Sequence, residues 1–291
     1  MYQVSGTWYA CLGYVITYAN NNIIYFRRDT VGGSSLTAGT ERSITQESKT
    51  ARKNPDVEVL TTGKVMVGFH KRYWNYGSYY TYYWEIWENA NNDGAGTWAL
   101  SVSNSLVSTF VDWGDVLGNI LRLTSAKAYT IWASDVASHI KGRYYDGSSW
   151  GSGSSIETVV ADYGNQRRYG SSAYNDDLAM SYWNSYDKKI YFYYRNNTAT
   201  PKWRSAETVG WSSQTYETAP QLCTDSSDGN FYVFWVYRQG YNEPIKYNKR
   251  TAGTWGISQT FVNNESNPKY TSINCYPEVT NNEIGVCWSA G

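Results

Sequence analysis

The chain has 291 residues, with 25 Lys and Arg balanced by 25 Asp and Glu, and 17% aromatic residues that include 14 Trp and 29 Tyr. Zero formal charge without a basic run argues against a nucleic-acid binder that works by neutralising phosphates. No run approaches about 18 apolar residues, so no membrane span is expected.

The N-terminus "MYQVSGTWYACLGYVITYA" has no basic n-region and no long apolar core, so no signal peptide is visible. Low charge and richness in Tyr, Trp, Asn, Ser, Thr and Gly nonetheless suit an extracellular or surface-associated protein. Cys11, Cys223, Cys275 and Cys287 are too scattered for a CxxC metal site and too few for a disulfide scaffold; their pairing stays open. No metal or other cofactor is called for, since no EF-hand-like ligand series is present.

In chain order, the first segment "YQVSGTWYA" (2–10) reads as the tail of a strand, a tight turn and the start of another. Then come six similar alternating runs: "YVITYA" (14–19), "VMVGFH" (65–70), "AYTIWA" (128–133), "AMSYWN" (179–184), "YVFWVY" (232–237) and "IGVCWS" (284–289). Period-two alternation of β-branched and aromatic residues predicts strands, and no segment holds a helical period. Most runs are followed by an aromatic strand: "IIYFRR", "YYWEIW", "IKGRYY", "IYFYYR", "IKYNKR". A small Gly/Ser/Asn turn and a Trp follow, as in "ENANNDGAGTWALS" (88–101), "RYYDGSSWGSG" (143–153) and "IKYNKRTAGTWGIS" (245–258).

The recurrence every roughly 50 to 60 residues matches a four-stranded propeller blade. The expected fold is therefore a single all-β domain over 1–291, a six-bladed β-propeller of four-stranded antiparallel blades. Approximate blades are 11–50, 54–106, 113–160, 168–213, 217–262, and 270–291 completed by 1–10. Pairing the N- and C-terminal strands would close the ring and remove exposed edges. Five blades is the alternative.

These units resemble the bacterial-neuraminidase (BNR) repeats of sialidase-like β-propellers, whose Asp-box reads roughly Ser-x-Asp-x-Gly-x-Thr-Trp. "NNDGAGTW" keeps Asp93, Thr97 and Trp98, with Ala95 in place of the Gly; "TAGTW" keeps Thr254 and Trp255; "DGSSW" keeps Trp150, with Asp146 one place too near. The resemblance spans nearly the whole chain and implies the fold. The family's arginine triad, Tyr–Glu pair and Asp acid are not carried over, because "YFRRDT" (Phe26-Arg27-Arg28-Asp29) lacks the family's Ile-Pro and falls in a third strand.

Loops on a rigid scaffold are the usual place for function. In up-down blades the rim opposite the Trp turns collects the irregular loops. They bring forward Arg52, Arg72, Trp74, Trp113, Arg167, Arg168, Tyr216, Glu217, Arg238 and Tyr241 as binding candidates. Flat aromatics stack on sugar faces, while Arg and carboxylates hydrogen-bond hydroxyls or carboxylates. His70, Asp112 and Asp135 are the candidates for catalysis on the same rim.

The expected function is an extracellular glycan-recognition or attachment module, lectin-like, with a carbohydrate or glycoconjugate as partner. One alternative is a glycan-cleaving enzyme, a sialidase-type glycoside hydrolase or polysaccharide lyase. The other is a structural subunit of a surface or virion assembly, with self-association or an assembly partner through exposed Tyr and Trp.

Overall fold

A computed structural model describes residues 2–18, 21–32, 35–45, 50–75, 79–106, 118–134, 139–152, 156–160, 169–184, 186–196, 202–212, 220–225, 227–237, 244–262, 273–277 and 284–288. Two compact units divide the chain, residues 1–161 and 162–291. Among the described residues every regular element is a strand. No helix among them is long and apolar enough to cross a membrane.

The first unit holds three antiparallel sheets in chain order. Sheet 1 runs Tyr2–Val4, Thr7–Tyr18, Asn21–Gly32, with Ser35–Thr37 and Arg42–Thr45 sharing its outer edge. Sheet 2 is Thr50–Val59, Val65–Asn75, Tyr79–Asn89 and Ala99–Leu106; sheet 3 is Gly118–Arg122, Ala128–Ala133, Ile140–Tyr145 and Glu157–Val160. The second unit holds sheet 4 (Tyr169–Tyr174, Asp177–Trp183, Lys189–Arg195, Glu207–Trp211) and sheet 5 (Gln221–Thr224, Phe231–Val236, Ile245–Thr251, then Thr254–Trp255 and Gln259–Val262). Ile273–Pro277 and Ile284–Trp288 form a two-stranded sheet 6.

The N-terminal strand pairs inside sheet 1, Tyr2 opposite Tyr9 and Val4 opposite Thr7. The Ser5-Gly6 turn sets that pairing: both residues have positive φ, 49° and 81°, and this two-residue hairpin folds Tyr2–Val4 back on its own neighbour. The expected closure of the ring with the C-terminal strands is not shown.

One departure concerns Arg52, Arg72 and Trp74, expected on loops of the rim. Val65–Asn75 and Tyr79–Asn89 stay paired from Val65↔Asn89 out to Asn75↔Tyr79, so Arg72 and Trp74 lie in an extended ribbon. The run "YYTYYWEIWEN" has the β-branched and aromatic content that cross-strand pairing rewards.

One irregularity recurs in sheets 1 to 5. The register between third and fourth strands slips after Ile24, Ile86, Ile140, Ile190 and Ile245. Each of these isoleucines is 1% exposed or less. The extra residue is on the fourth strand, namely Ile44, Ser101, Val159, Val209 and Phe261. Such a bulge bends its strand and sharpens the local twist. It also gives a ruler by which equivalent positions in different sheets can be matched.

In three of the small turns the Trp that follows reaches the preceding sheet. Trp98 of sheet 2 packs edge-on against Phe26 of sheet 1, centroids 5.6 Å apart. Trp150 donates to Ser101 Oγ of sheet 2 at 3.0 Å. Trp255 meets Phe192 of sheet 4 at 4.9 Å and donates to Glu207 at 2.9 Å. The turns themselves are held by their polar residues: Asp93 accepts from Ala95 N, and Asp146 from Ser148 N and Ser149 N. Those donors hold the Asp146 carboxyl down at about 2.

The cores lie between sheets. Ile24, Phe26, Val59, Val67, Phe69 and Trp98 fill the space between sheets 1 and 2, and Trp183, Phe192, Val209, Leu222, Phe231 and Trp235 that between sheets 4 and 5.

Candidate functional site

The junction of sheets 2 and 3 opens into a cleft of about 410 Å³, lined by Ser103 and Asn104 from sheet 2 and by Trp132, Ser134, Lys141, Arg143 and Ile156 from sheet 3 and its flanks. That volume lies within the range of about 300–1,000 Å³ usual for small-molecule sites. Alternation along Ile140–Tyr145 sends Lys141, Arg143 and Tyr145 to one face. Lys141 Nζ donates to Thr158 Oγ1 at 2.6 Å. Arg143 Nη1 donates to Asn104 Oδ1 at 2.9 Å.

Two donors in the cleft have no partner: Arg143 Nε and Asn104 Nδ2, each buried from solvent. Asn104 itself is only 5% exposed. Buried polar atoms are almost always paired, and an unpaired one asks for an explanation. Burial of the guanidinium draws the Arg143 pKa below its ordinary value.

The matching junction of sheets 4 and 5 shows what is special here. Counting from the bulge, Asn104, Trp132 and Arg143 correspond to Ser212, Trp235 and Asn248. All three counterparts are satisfied. Ser212 Oγ donates to Val236 O at 3.0 Å, Asn248 Nδ2 to Val209 O at 3.0 Å and Gly256 O at 3.1 Å, and Trp235 Nε1 to Trp211 O at 3.3 Å. The Trp235 indole lies where a Cβ on Gly210 would stand, 2.4 Å away. The position of Gly210 is held in sheet 2 by Val102. One junction is filled by an indole; the other carries a cleft with unmet donors.

Of the residues expected from the sequence, His70 is buried, 4% exposed, with its ring 5.0 Å from that of Trp84. Burial pushes its pKa down to about 3, so it is neutral at ordinary pH. Arg72 is half-buried, opposite Ala51 and Tyr82. Arg52 and Trp74 sit on the paired strands Thr50–Val59 and Val65–Asn75. Trp113, Arg167, Arg168, Tyr216, Glu217, Arg238, Tyr241, Asp112 and Asp135 lie outside the described residues. The cleft residues were not among the sequence candidates. Lys141 and Arg143 alternate on one strand, a visible signal, but similar pairs occur in "IKYNKR", and only the register brings Asn104 to them.

Cys11 and Cys223 are free thiols, the first pushed up to about 12 by burial. Among the described residues no group of three His, Cys, Asp or Glu side chains is placed to hold a metal ion.

No protein-family model matches the chain. No curated protein matches it either. Solved structures do. A protein of unknown function from Dyadobacter fermentans matches with a TM-score of 0.55 at 11% identity, over 99% of this chain and 92% of that one. The lectin of Aleuria aurantia, described as a six-bladed β-propeller with a novel fucose recognition mode, matches with a TM-score of 0.50 at 14% identity, over 98% and 88%. A leech intramolecular trans-sialidase matches at a TM-score of 0.47 and 11% identity over 84% of this chain; the chain spans 36% of that protein's length. At such identities the likeness is one of fold. The class is thus an all-β chain with several four-stranded antiparallel sheets among its described residues, whose structural neighbours include six-bladed β-propellers.

Proposed function

We propose that the chain is a six-bladed propeller that recognises carbohydrate outside the cell, and that the cleft between sheets 2 and 3 is a sugar site. The carrying observation is the pair of unmet donors, Arg143 Nε and Asn104 Nδ2, in a cleft whose counterpart residues between sheets 4 and 5, Ser212 and Asn248, are hydrogen-bonded. A binding site is where buried polar groups go unpaired until a ligand arrives. Sugars supply ring and hydroxyl oxygens as acceptors, and the hydroxyls of Ser103 and Ser134 can exchange hydrogen bonds with them. The lectin neighbour, described by its fucose recognition, supports the same assignment as an analogy of fold.

The test is a glycan array probed with purified protein, followed by recovery of the saccharides and a search for cleavage products. Retention without product is expected. Product release would replace this proposal with the glycan-cleaving enzyme. Self-association with no glycan retained would replace it with the assembly subunit.

A further inference from the structure

We propose that the saccharide taken by this cleft is anionic, carrying a carboxylate or sulfate that docks on the Nε edge of Arg143. The inference rests on the carbohydrate reading above and narrows it.

The hydrogen-bond inventory comes first. Both unmet atoms are donors. The amide orientation of Asn104 is fixed by its neighbour: Arg143 Nη1 donates to Oδ1, and a flipped amide would set two donors face to face. With Nη1 engaged, the guanidinium presents its remaining edge, Nε with Nη2, which matches a carboxylate or sulfate two-point.

The same chain uses that edge elsewhere. Arg250 grips Glu207 through Nε at 2.9 Å and Nη2 at 2.8 Å. Arg27 grips Asp29 through Nε at 2.7 Å and Nη2 at 2.9 Å. Arg27 stands three residues past the bulge isoleucine Ile24, as Arg143 does past Ile140. Two residues further, sheet 1 has Asp29, whereas sheet 3 has Tyr145. The repeat therefore retains the arginine and lacks the carboxylate that answers it in sheet 1.

Charge points the same way. Lys141 and Arg143 line the cleft, and no carboxylate lines it among the described residues. The nearby Glu157 accepts from Tyr129 Oη at 2.7 Å. A partly buried guanidinium without a counter-ion is costly, and an acidic ligand removes that cost where a neutral sugar would not.

The experiment compares matched glycans on one array, uronate, sulfated and sialylated structures beside their neutral parents, with dissociation constants then measured by calorimetry. Acidic members should bind at least about tenfold tighter than their parents, the scale expected for one charge-assisted contact. Sodium sulfate should compete better than sodium chloride of equal ionic strength. Arg143→Gln should bring acidic and neutral affinities together. Asn104→Asp, which keeps the arginine and supplies an internal carboxylate, should do the same, with thermal melts confirming that both variants fold. Equal affinity for acidic and neutral glycans would overturn the anion assignment and leave the sugar site standing. Retention of no glycan at all would overturn both. Carboxylate-only or sulfate-only preference would support the proposal and identify the source.

Discussion

Trp84 of sheet 2 donates from its indole Nε1 to Thr130 Oγ1 of sheet 3 at 2.8 Å, and Thr130 passes the bond on to Asn119 O at 2.9 Å. The indole is fully buried and wedged against glycines, since a Cβ on Gly68 or Gly118 would come within 2.3 or 2.4 Å of its ring. A polar link thus pins an apolar plug. Thr130→Val should leave the indole N–H buried and unpaired, costing about 1–3 kcal/mol. Gly118→Ala should destabilise through overpacking, about 1–3 kcal/mol. Urea midpoints at unchanged m-value would check both.

The Trp of the recurring turn is an inter-sheet staple, and its worth should follow burial. Trp98→Ala, at a site 8% exposed, should cost about 3–5 kcal/mol. Trp211→Ala, a control outside those turns at the end of Glu207–Trp211 and 46% exposed, should cost under about 1 kcal/mol. Equal losses in chemical denaturation would show that the staple carries no special weight.

The hairpin between Thr251 and Thr254 turns through Ala252 and Gly253, with φ of 48° and 83°. Two positive φ values define the turn that favours Asn-Gly, and Ala is strained at the first position. Ala252→Asn should therefore stabilise by about 0.5–1 kcal/mol, seen as a higher Tm.

Two buried groups give opposite pH responses. His70, with its folded pKa depressed to about 3, stabilises fully above its unfolded value of about 6.5, and that contribution is lost as pH falls towards 3. His70→Phe should flatten Tm between pH 6.5 and 3.

Asp56 is the reverse case. Burial raises its carboxyl to about 7 although it accepts from Ile120 N at 2.6 Å. Its contribution is complete below about 4 and is lost as pH rises through 7. Asp56→Asn keeps an acceptor for Ile120 and should raise Tm at pH 8 while leaving it unchanged at pH 4. A variant with the wild-type profile would exclude Asp56 as the titrating group.

How much of this was legible in advance depends on how local the cause is. "YVFWVY" and "IKYNKR" read as strands because alternation and β-branched or aromatic content act residue by residue. "TAGTW" read as a turn because Gly253 tolerates positive φ. The ribbon carrying Arg72 and Trp74 was misread as a loop because Lys71, Arg72, Asn75 and Gly77 look polar or flexible, while the pairing that extends it lies on the partner strand around Tyr79–Trp84.

The sequence by itself determined the strands, their roughly regular recurrence, the Trp turns and the all-β class, since each follows from side-chain period and turn chemistry within a few residues. Only the tertiary structure decided that Tyr2–Val4 folds into sheet 1, and that Asn104 meets Arg143, 39 residues away, with two donors left over. The reason is register: a one-residue bulge exchanges which side chains face a neighbouring sheet, and alternation along one strand carries no information about where its partner slips.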